Sequence, residues 1–216
     1  MASLVITIAQ QKGGSGKTTL AANLAIAATL KGKSVGILDT DPQGSLGRWF
    51  MQRCDHMGED NTGLHFRTAS AWGARFEAKQ LQKTCDLVII DTPPKMGSDG
   101  RPSIQAANLV LIPVTPSPLD VWATEPTLEL AKAEQVPHAV ILNKCDPRTR
   151  MTQGMDSTLE QLGAQALPAR INNRVLFAEA MQMGKGVQEL RSTSPAAADA
   201  ETVFGAVMDV LEKPAE

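Results

Sequence analysis

The stretch LVITIAQQKGGSGKTTLAANL, residues 4–24, constrains the fold of this chain more than any other. An apolar run rich in β-branched residues meets three glycines, and then an alanine- and leucine-rich segment that opens Lys-Thr-Thr. That order reads as strand, tight turn and helix. Glycine lets the backbone turn sharply and aim its N–H groups at an anion, and the helix N-terminus adds partial positive charge. The turn is therefore a phosphate cradle made by Gly13, Gly14, Ser15 and Gly16. Lys17 is placed to reach the β and γ phosphates of a nucleotide, the Thr18 hydroxyl to ligate Mg²⁺, and Thr19 to stand with them at the nucleotide.

Further apolar runs follow at 34–39, 86–91, 109–114 and 138–143, with helical patterns between them. They do not alternate with polar residues, which is the mark of strands covered on both faces. The expected fold is α/β, a mostly parallel twisted sheet covered by helices on both faces. The first helix is expected over about 18–31, and others near 45–53, 73–83, 118–134, 154–162 and 196–212. The segment 54–64 reads as loop. With no repeat and no linker, residues 1–216 are expected to form a single P-loop domain.

The sequence carries 21 Lys and Arg against 23 Asp and Glu, a formal charge of −2, so DNA binding through net charge alone is excluded and a local patch is required. Cys54, Cys85 and Cys145 form no CxxC pair and read as reduced packing residues of a cytoplasmic protein. No apolar stretch approaches the roughly 20 residues of a membrane span. The acidic C-terminal pattern at 200–216 reads as a helix packed on its own domain, so no membrane partner is expected.

In open α/β sheets, ligands sit at the carboxyl ends of the strands. Two more runs end there in acids: ILDTDPQGS offers Asp39 and Asp41, and LVIIDTPP offers Asp91. Mg²⁺ needs carboxylates or carboxylate-held waters beside a phosphate loop, and these three are candidates to supply them.

The segment KGGSGKTT departs from the general pattern G-x-x-x-x-G-K-[ST], because Gln11 stands where the first glycine belongs and Lys12 follows it. In this it resembles the deviant Walker A motif of the ParA/MinD ATPases. The likeness extends to DTDPQGS, VIIDTPP, IPVTPSPLD, ILNKCDPR and AEAMQMGKGVQEL, and so covers most of the chain. It implies ATP and Mg²⁺ as cofactors and a nucleotide-dependent homodimer in which Lys12 reaches the partner subunit's nucleotide. It further implies that Asp41 positions the attacking water, that Asp39 supports the metal site, that Asp91 holds Mg²⁺ through water, and that Asn143 contacts the base.

The same Asn143-Lys144-Cys145-Asp146 also fits the N-K-x-D pattern by which many GTPases read guanine, so GTP stays open beside ATP at this point. The resemblance is to the short partition ATPases, with no regulatory helix-turn-helix segment expected before the first strand. It implies weak ATP hydrolysis stimulated by a ParB-like or cargo-adaptor protein, and non-specific DNA binding on the nucleoid through Arg170, Arg174, Lys185 and Arg191. Three functions follow in order: partition of plasmid or chromosome DNA, positioning of a protein cargo such as a chemoreceptor cluster or microcompartment, and a biosynthetic or metallochaperone activity.

Overall fold

The computed structural model describes residues 3–94, 100–146, 148, 155–164 and 166–212. A seven-stranded sheet organises them, in the order β3-β2-β4-β1-β5-β6-β7. The strands are β1 Leu4–Ile8, β2 Val35–Asp39, β3 Leu64–Thr68, β4 Leu87–Asp91, β5 Leu109–Val114, β6 His138–Cys145 and β7 Ala166–Asn172. All pair in parallel, so every crossover passes over a face of the sheet.

The apolar runs do not alternate because both faces are covered. Along β1, Ile6 and Ile8 enter the core under helices α1 (Lys17–Leu30) and α10 (Pro195–Glu212), whereas Val5 faces α3 (Ala74–Leu81) on the other side. Along β5, Leu109 and Leu111 join the first cluster. Val110, Ile112 and Val114 join another, with Val121 of α5 (Pro118–Trp122), Leu128 of α6 (Glu125–Ala133) and Leu159 of α7 (Met155–Gln161). The first cluster is the largest, and α1 contributes much of it because its alanines let it lie close to the sheet.

Two strands lie where the sequence marks none. β3 and β7 are the edges of the sheet, and their buried positions alternate with exposed ones: in β7, Leu167, Ala169 and Ile171 face α10 while Pro168 and Arg170 are exposed. Proline is tolerated at such an edge because no further strand needs its N–H. The segment 54–64 divides between the end of α2 (Ser45–Met57), a short 3-10 turn and the first residue of β3. The single helix expected over 118–134 is α5 and α6, which meet at buried Thr124 before Pro126. Short helices α4 (Arg101–Gln105), α8 (Val175–Gln182) and α9 (Val187–Leu190) complete the fold.

The segment between α8 and α9 is stitched to the centre. Val187 N donates to Asn23 Oδ1 of α1 at 2.9 Å, and Trp49 Nε1 of α2 donates to Lys185 O at 3.2 Å. Gly184 has φ +64° and sits so close to α2 that an added Cβ would lie 2.2 Å from Arg53 N. Only glycine meets both conditions. No helix among the described residues is long and apolar enough to cross a membrane.

Candidate nucleotide site

The strand order places β2, β4 and β1 side by side, with Asp39 of β2 level with Asp91 of β4, and Asp91 level with Ile8 of β1. Both acids therefore stand beside the loop that leaves β1. Two threonines extend this alignment past the strand ends: Thr92 Oγ1 donates to Ile8 O at 2.7 Å, and Thr40 Oγ1 donates to Asp91 O at 2.8 Å.

The loop itself turns through Gly14 at φ +79° and Gly16 at φ +89°, the second capping α1. Two side chains from β6 brace it. Asn143 Nδ2 donates to Ser15 O at 2.7 Å, and Lys144 Nζ donates to Gly14 O at 2.7 Å. A Cβ on Gly16 would come within 2.4 Å of Asn143 Nδ2, so this glycine makes room for the brace as well as the turn. Lys144 itself has φ +54°.

Lys17 is buried at the first turn of α1. Burial pushes its ammonium below the usual lysine range, while the charges of Asp91 and Asp41 act the other way. Thr18 Oγ1 donates to Asp91 Oδ2 at 2.6 Å. The other oxygen, Asp91 Oδ1, is buried with no hydrogen-bond partner, as is Ser15 Oγ in the loop. A buried, unpartnered carboxylate oxygen next to a hydroxyl fits a cation or its bound water, because leaving such an acceptor unmade is costly. Mg²⁺ held by one or two protein oxygens, with phosphate and water filling the rest of its shell, matches this donor set.

Burial also pushes the Asp91 carboxyl up to about 7, against the Thr18 hydroxyl bond, and the neighbouring charge of Asp39 adds to the rise. The folded chain thus keeps this proton to higher pH than the unfolded chain. Without a divalent cation, stability falls as pH climbs from about 4 through 7. Asp91→Asn is accordingly expected to stabilise the nucleotide-free protein at pH 8 in chelator by on the order of 2 kcal/mol, half the ceiling of so large a shift. Urea denaturation should show the gain at pH 8 and little near pH 4; equal stability of the two proteins at pH 8 contradicts it.

The remaining acids have distinct surroundings. Both oxygens of Asp39 accept from backbone: Oδ1 from Asp41 N at 3.0 Å, and Oδ2 from Gly47 N at 2.9 Å. In this structure Asp39 shapes the loop that carries Asp41 and anchors the start of α2. Burial raises its carboxyl, and the same amide bonds oppose the rise. Asp41 is half-buried, and its Oδ1 accepts from Gln43 N at 2.9 Å. Lys12 is exposed on the rim of the loop, its Nζ paired with Asp120 Oδ1 of α5.

A cavity of about 290 Å³ opens behind the loop, lined by Gly16, Thr19, Leu20, Asn143, Arg174 and Phe177 among others. Its far wall, Asn172–Ala178, runs from the end of β7 into α8, a wall that edge-strand alternation had hidden in the sequence. A larger groove of about 1190 Å³ runs past Asp39 and Asp41 between Phe66, Trp72 and Pro93.

The four basic residues expected at DNA are divided between two segments. Arg170 lies exposed on β7, and Arg174 precedes α8 with its Nε paired to Asp199 Oδ2 at 2.9 Å. Lys185 and Arg191 flank α9, half-buried and exposed respectively. Of the cysteines, Cys85 and Cys145 are buried and Cys54 is partly exposed, all as free thiols.

Residues 6–187 match the family described as the CobQ/CobB/MinD/ParA nucleotide binding domain. The chain is 30% identical to maintenance of carboxysome distribution protein A of Halothiobacillus neapolitanus, over 91% of this chain and 92% of that protein. It is 29% identical to the chromosome-partitioning ATPase Soj of Thermus thermophilus, over 89% and 90%. Among solved structures, the ATP complex of a Cyanothece McdA variant superposes with a TM-score of 0.78 at 18% identity, covering 100% of both chains. The parallel sheet, the braced phosphate loop and these likenesses agree, and the chain belongs to the ParA/MinD branch of the CobQ/CobB/MinD/ParA nucleotide-binding family of ATPases.

Proposed function

We propose that this chain is an ATP-driven positioning switch, in which two ATP-bound copies close face to face on DNA and a cargo-bound adaptor protein opens them by stimulating hydrolysis. The observation that carries the reading is the convergence of buried Lys17, the Thr18–Asp91 hydrogen bond and the unpartnered Asp91 oxygen at one end of the sheet, with Lys12 exposed beside them.

In this reading Lys17 and the amides of residues 13–18 hold the triphosphate. Thr18 and Asp91 would hold Mg²⁺, which when bound would supply positive charge beside the phosphates. Asp39 acts on the metal site indirectly, by fixing the Asp41 loop, since its own oxygens are taken by amides. Asp41 orients water for in-line attack on the γ phosphorus, a reaction that asks the protein mainly for positioning and charge stabilisation. The cavity behind the loop receives the base, with Asn143 at its edge. ATP is favoured over GTP by the likeness to partition and positioning ATPases. Residues 1–216 act as one P-loop domain.

Lys12 reaches the triphosphate of the second copy, where it offsets the repulsion between two nucleotide-bearing faces. The dimer contacts phosphates of non-specific DNA through Arg170, Lys185 and Arg191, with Arg174 joining them only by leaving Asp199. The cargo reading is supported by the carboxysome-distribution relative, so a protein assembly positioned on the nucleoid is the preferred cargo. Partition of plasmid or chromosome DNA is the second reading, supported by Soj.

ATP, but not ADP, is expected to confer binding to random-sequence duplex, weakening by at least tenfold between about 50 and 200 mM salt if several phosphates are contacted. Asp41→Ala should leave that binding intact while slowing hydrolysis by about a hundredfold or more. A filter-binding titration and a phosphate-release assay on one preparation check both. Nucleotide-independent DNA binding, or unchanged turnover in Asp41→Ala, would remove the corresponding step.

A further inference from the structure

Lys12 is held, and the group that holds it is built for the purpose. The Asp120 carboxylate that pairs with its ammonium belongs to a residue only 7% exposed. Its second oxygen accepts from Thr115 Oγ1 at 2.6 Å and from Ser117 Oγ at 2.8 Å, which aims the first oxygen at the phosphate loop. A second chain of bonds ties the same two segments together. Lys12 N donates to Gln10 Oε1 at 3.3 Å, Gln10 Nε2 donates to Thr124 Oγ1 at 3.2 Å, and Thr124 Oγ1 donates to Asp120 O at 2.9 Å. The Lys12 side chain is nonetheless 44% exposed, so the ammonium can leave while the Asp120 carboxylate keeps the bonds from Thr115 and Ser117.

We infer that Asp120 is a positioning residue that keeps Lys12 on its own subunit until the triphosphate of a second copy draws it away, and so sets the nucleotide threshold for pairing. The inference rests on the proposed reach of Lys12 across the dimer. One carboxylate competes here with a phosphate chain for one ammonium. ATP presents more negative charge at the face than ADP does, so ATP wins this competition where ADP loses it. The cis pair thereby makes closure selective for the unhydrolysed nucleotide, and after hydrolysis it recaptures the lysine as the copies part.

Asp120→Asn removes the charge and keeps an oxygen for the two hydroxyls. Sedimentation velocity across ATP and ADP titrations is expected to show half-dimerisation at about fivefold lower ATP, with two released lysines per dimer, and dimers with ADP that the native protein does not form. Thr115→Val leaves the carboxylate in place but loosens its aim, and should shift the ATP threshold the same way by a smaller factor. It decides the question if Asp120→Asn does not fold. Combining Lys12→Ala with Asp120→Asn should give no gain over Lys12→Ala alone. Unchanged or weaker ATP-dependent pairing in folded Asp120→Asn, with Lys12→Ala still monomeric, overturns the role of Asp120. A Lys12→Ala protein that pairs like the native one overturns instead the reading on which it rests.

Discussion

Arg53→Ala is expected to lower the stability of the fold by about 3–5 kcal/mol, the range found when one partner of a buried ion pair is removed. Arg53 is a charged residue only 3% exposed, in the middle of α2. Its Nη1 and Nη2 meet Glu189 Oε2 and Oε1 at 2.8 and 2.7 Å, a bidentate pair that carries both charge and direction. Its Nε donates to Thr62 O at 2.7 Å, Nη1 also reaches Gly184 O at 3.1 Å, and the guanidinium lies 5.8 Å from the centre of the Trp49 ring. Glu189 in turn accepts from Gly186 N at 2.9 Å. Alanine strands a mostly buried carboxylate and two carbonyls at once.

Lysine in place of Arg53 is expected to recover little, because a point charge cannot bond Glu189 twice and still reach both carbonyls. Arg53→Met with Glu189→Leu should recover most of the loss, since removing both charges leaves none unpaired. Urea denaturation of the single and double variants checks this; a loss below about 1 kcal/mol in Arg53→Ala would mean the pair is solvated in solution and does not clamp α2.

Lys17→Ala is expected to weaken ATP binding by about a hundredfold or more, as removal of one partner from a desolvated charge contact does. Lys17 is buried among Asp91, Asp41 and the loop, so its ammonium has been stripped of much of its water before the nucleotide arrives. Calorimetry with a non-hydrolysable ATP analogue measures the loss directly. Lys12→Ala in the same experiment should bind the analogue within a few-fold of the native protein, because Lys12 stands exposed on the rim and is engaged by Asp120. Comparable losses in the two variants would place both lysines on the same nucleotide.

What could be read in advance was local. The phosphate loop is a run of neighbours, and its glycines state their backbone angles directly. The five inner strands announce themselves because two covered faces leave no room for alternation. β3 and β7 escaped because an edge strand with one face open, such as LHFRT or ALPARIN, reads as a polar loop. The split between α5 and α6 turns on a buried threonine and a proline that an amphipathic pattern overrides. In the site, Asp39, Asp41 and Asp91 were legible as strand-end acids, yet only the folded turn after β2 shows that Asp39 spends its oxygens on the amides of Asp41 and Gly47. The brace of Asn143 on Ser15 and the pairing of Lys12 with Asp120 join residues more than a hundred positions apart, and no local pattern encodes either.

The proposed switch turns on Lys12 serving the nucleotide of another copy. Sedimentation velocity on the native protein and Lys12→Ala, each saturated with a non-hydrolysable ATP analogue, tests it most directly. Dimers are expected for the first and monomers with bound analogue for the second. A Lys12→Ala protein that is fully loaded and fully dimeric would contradict it.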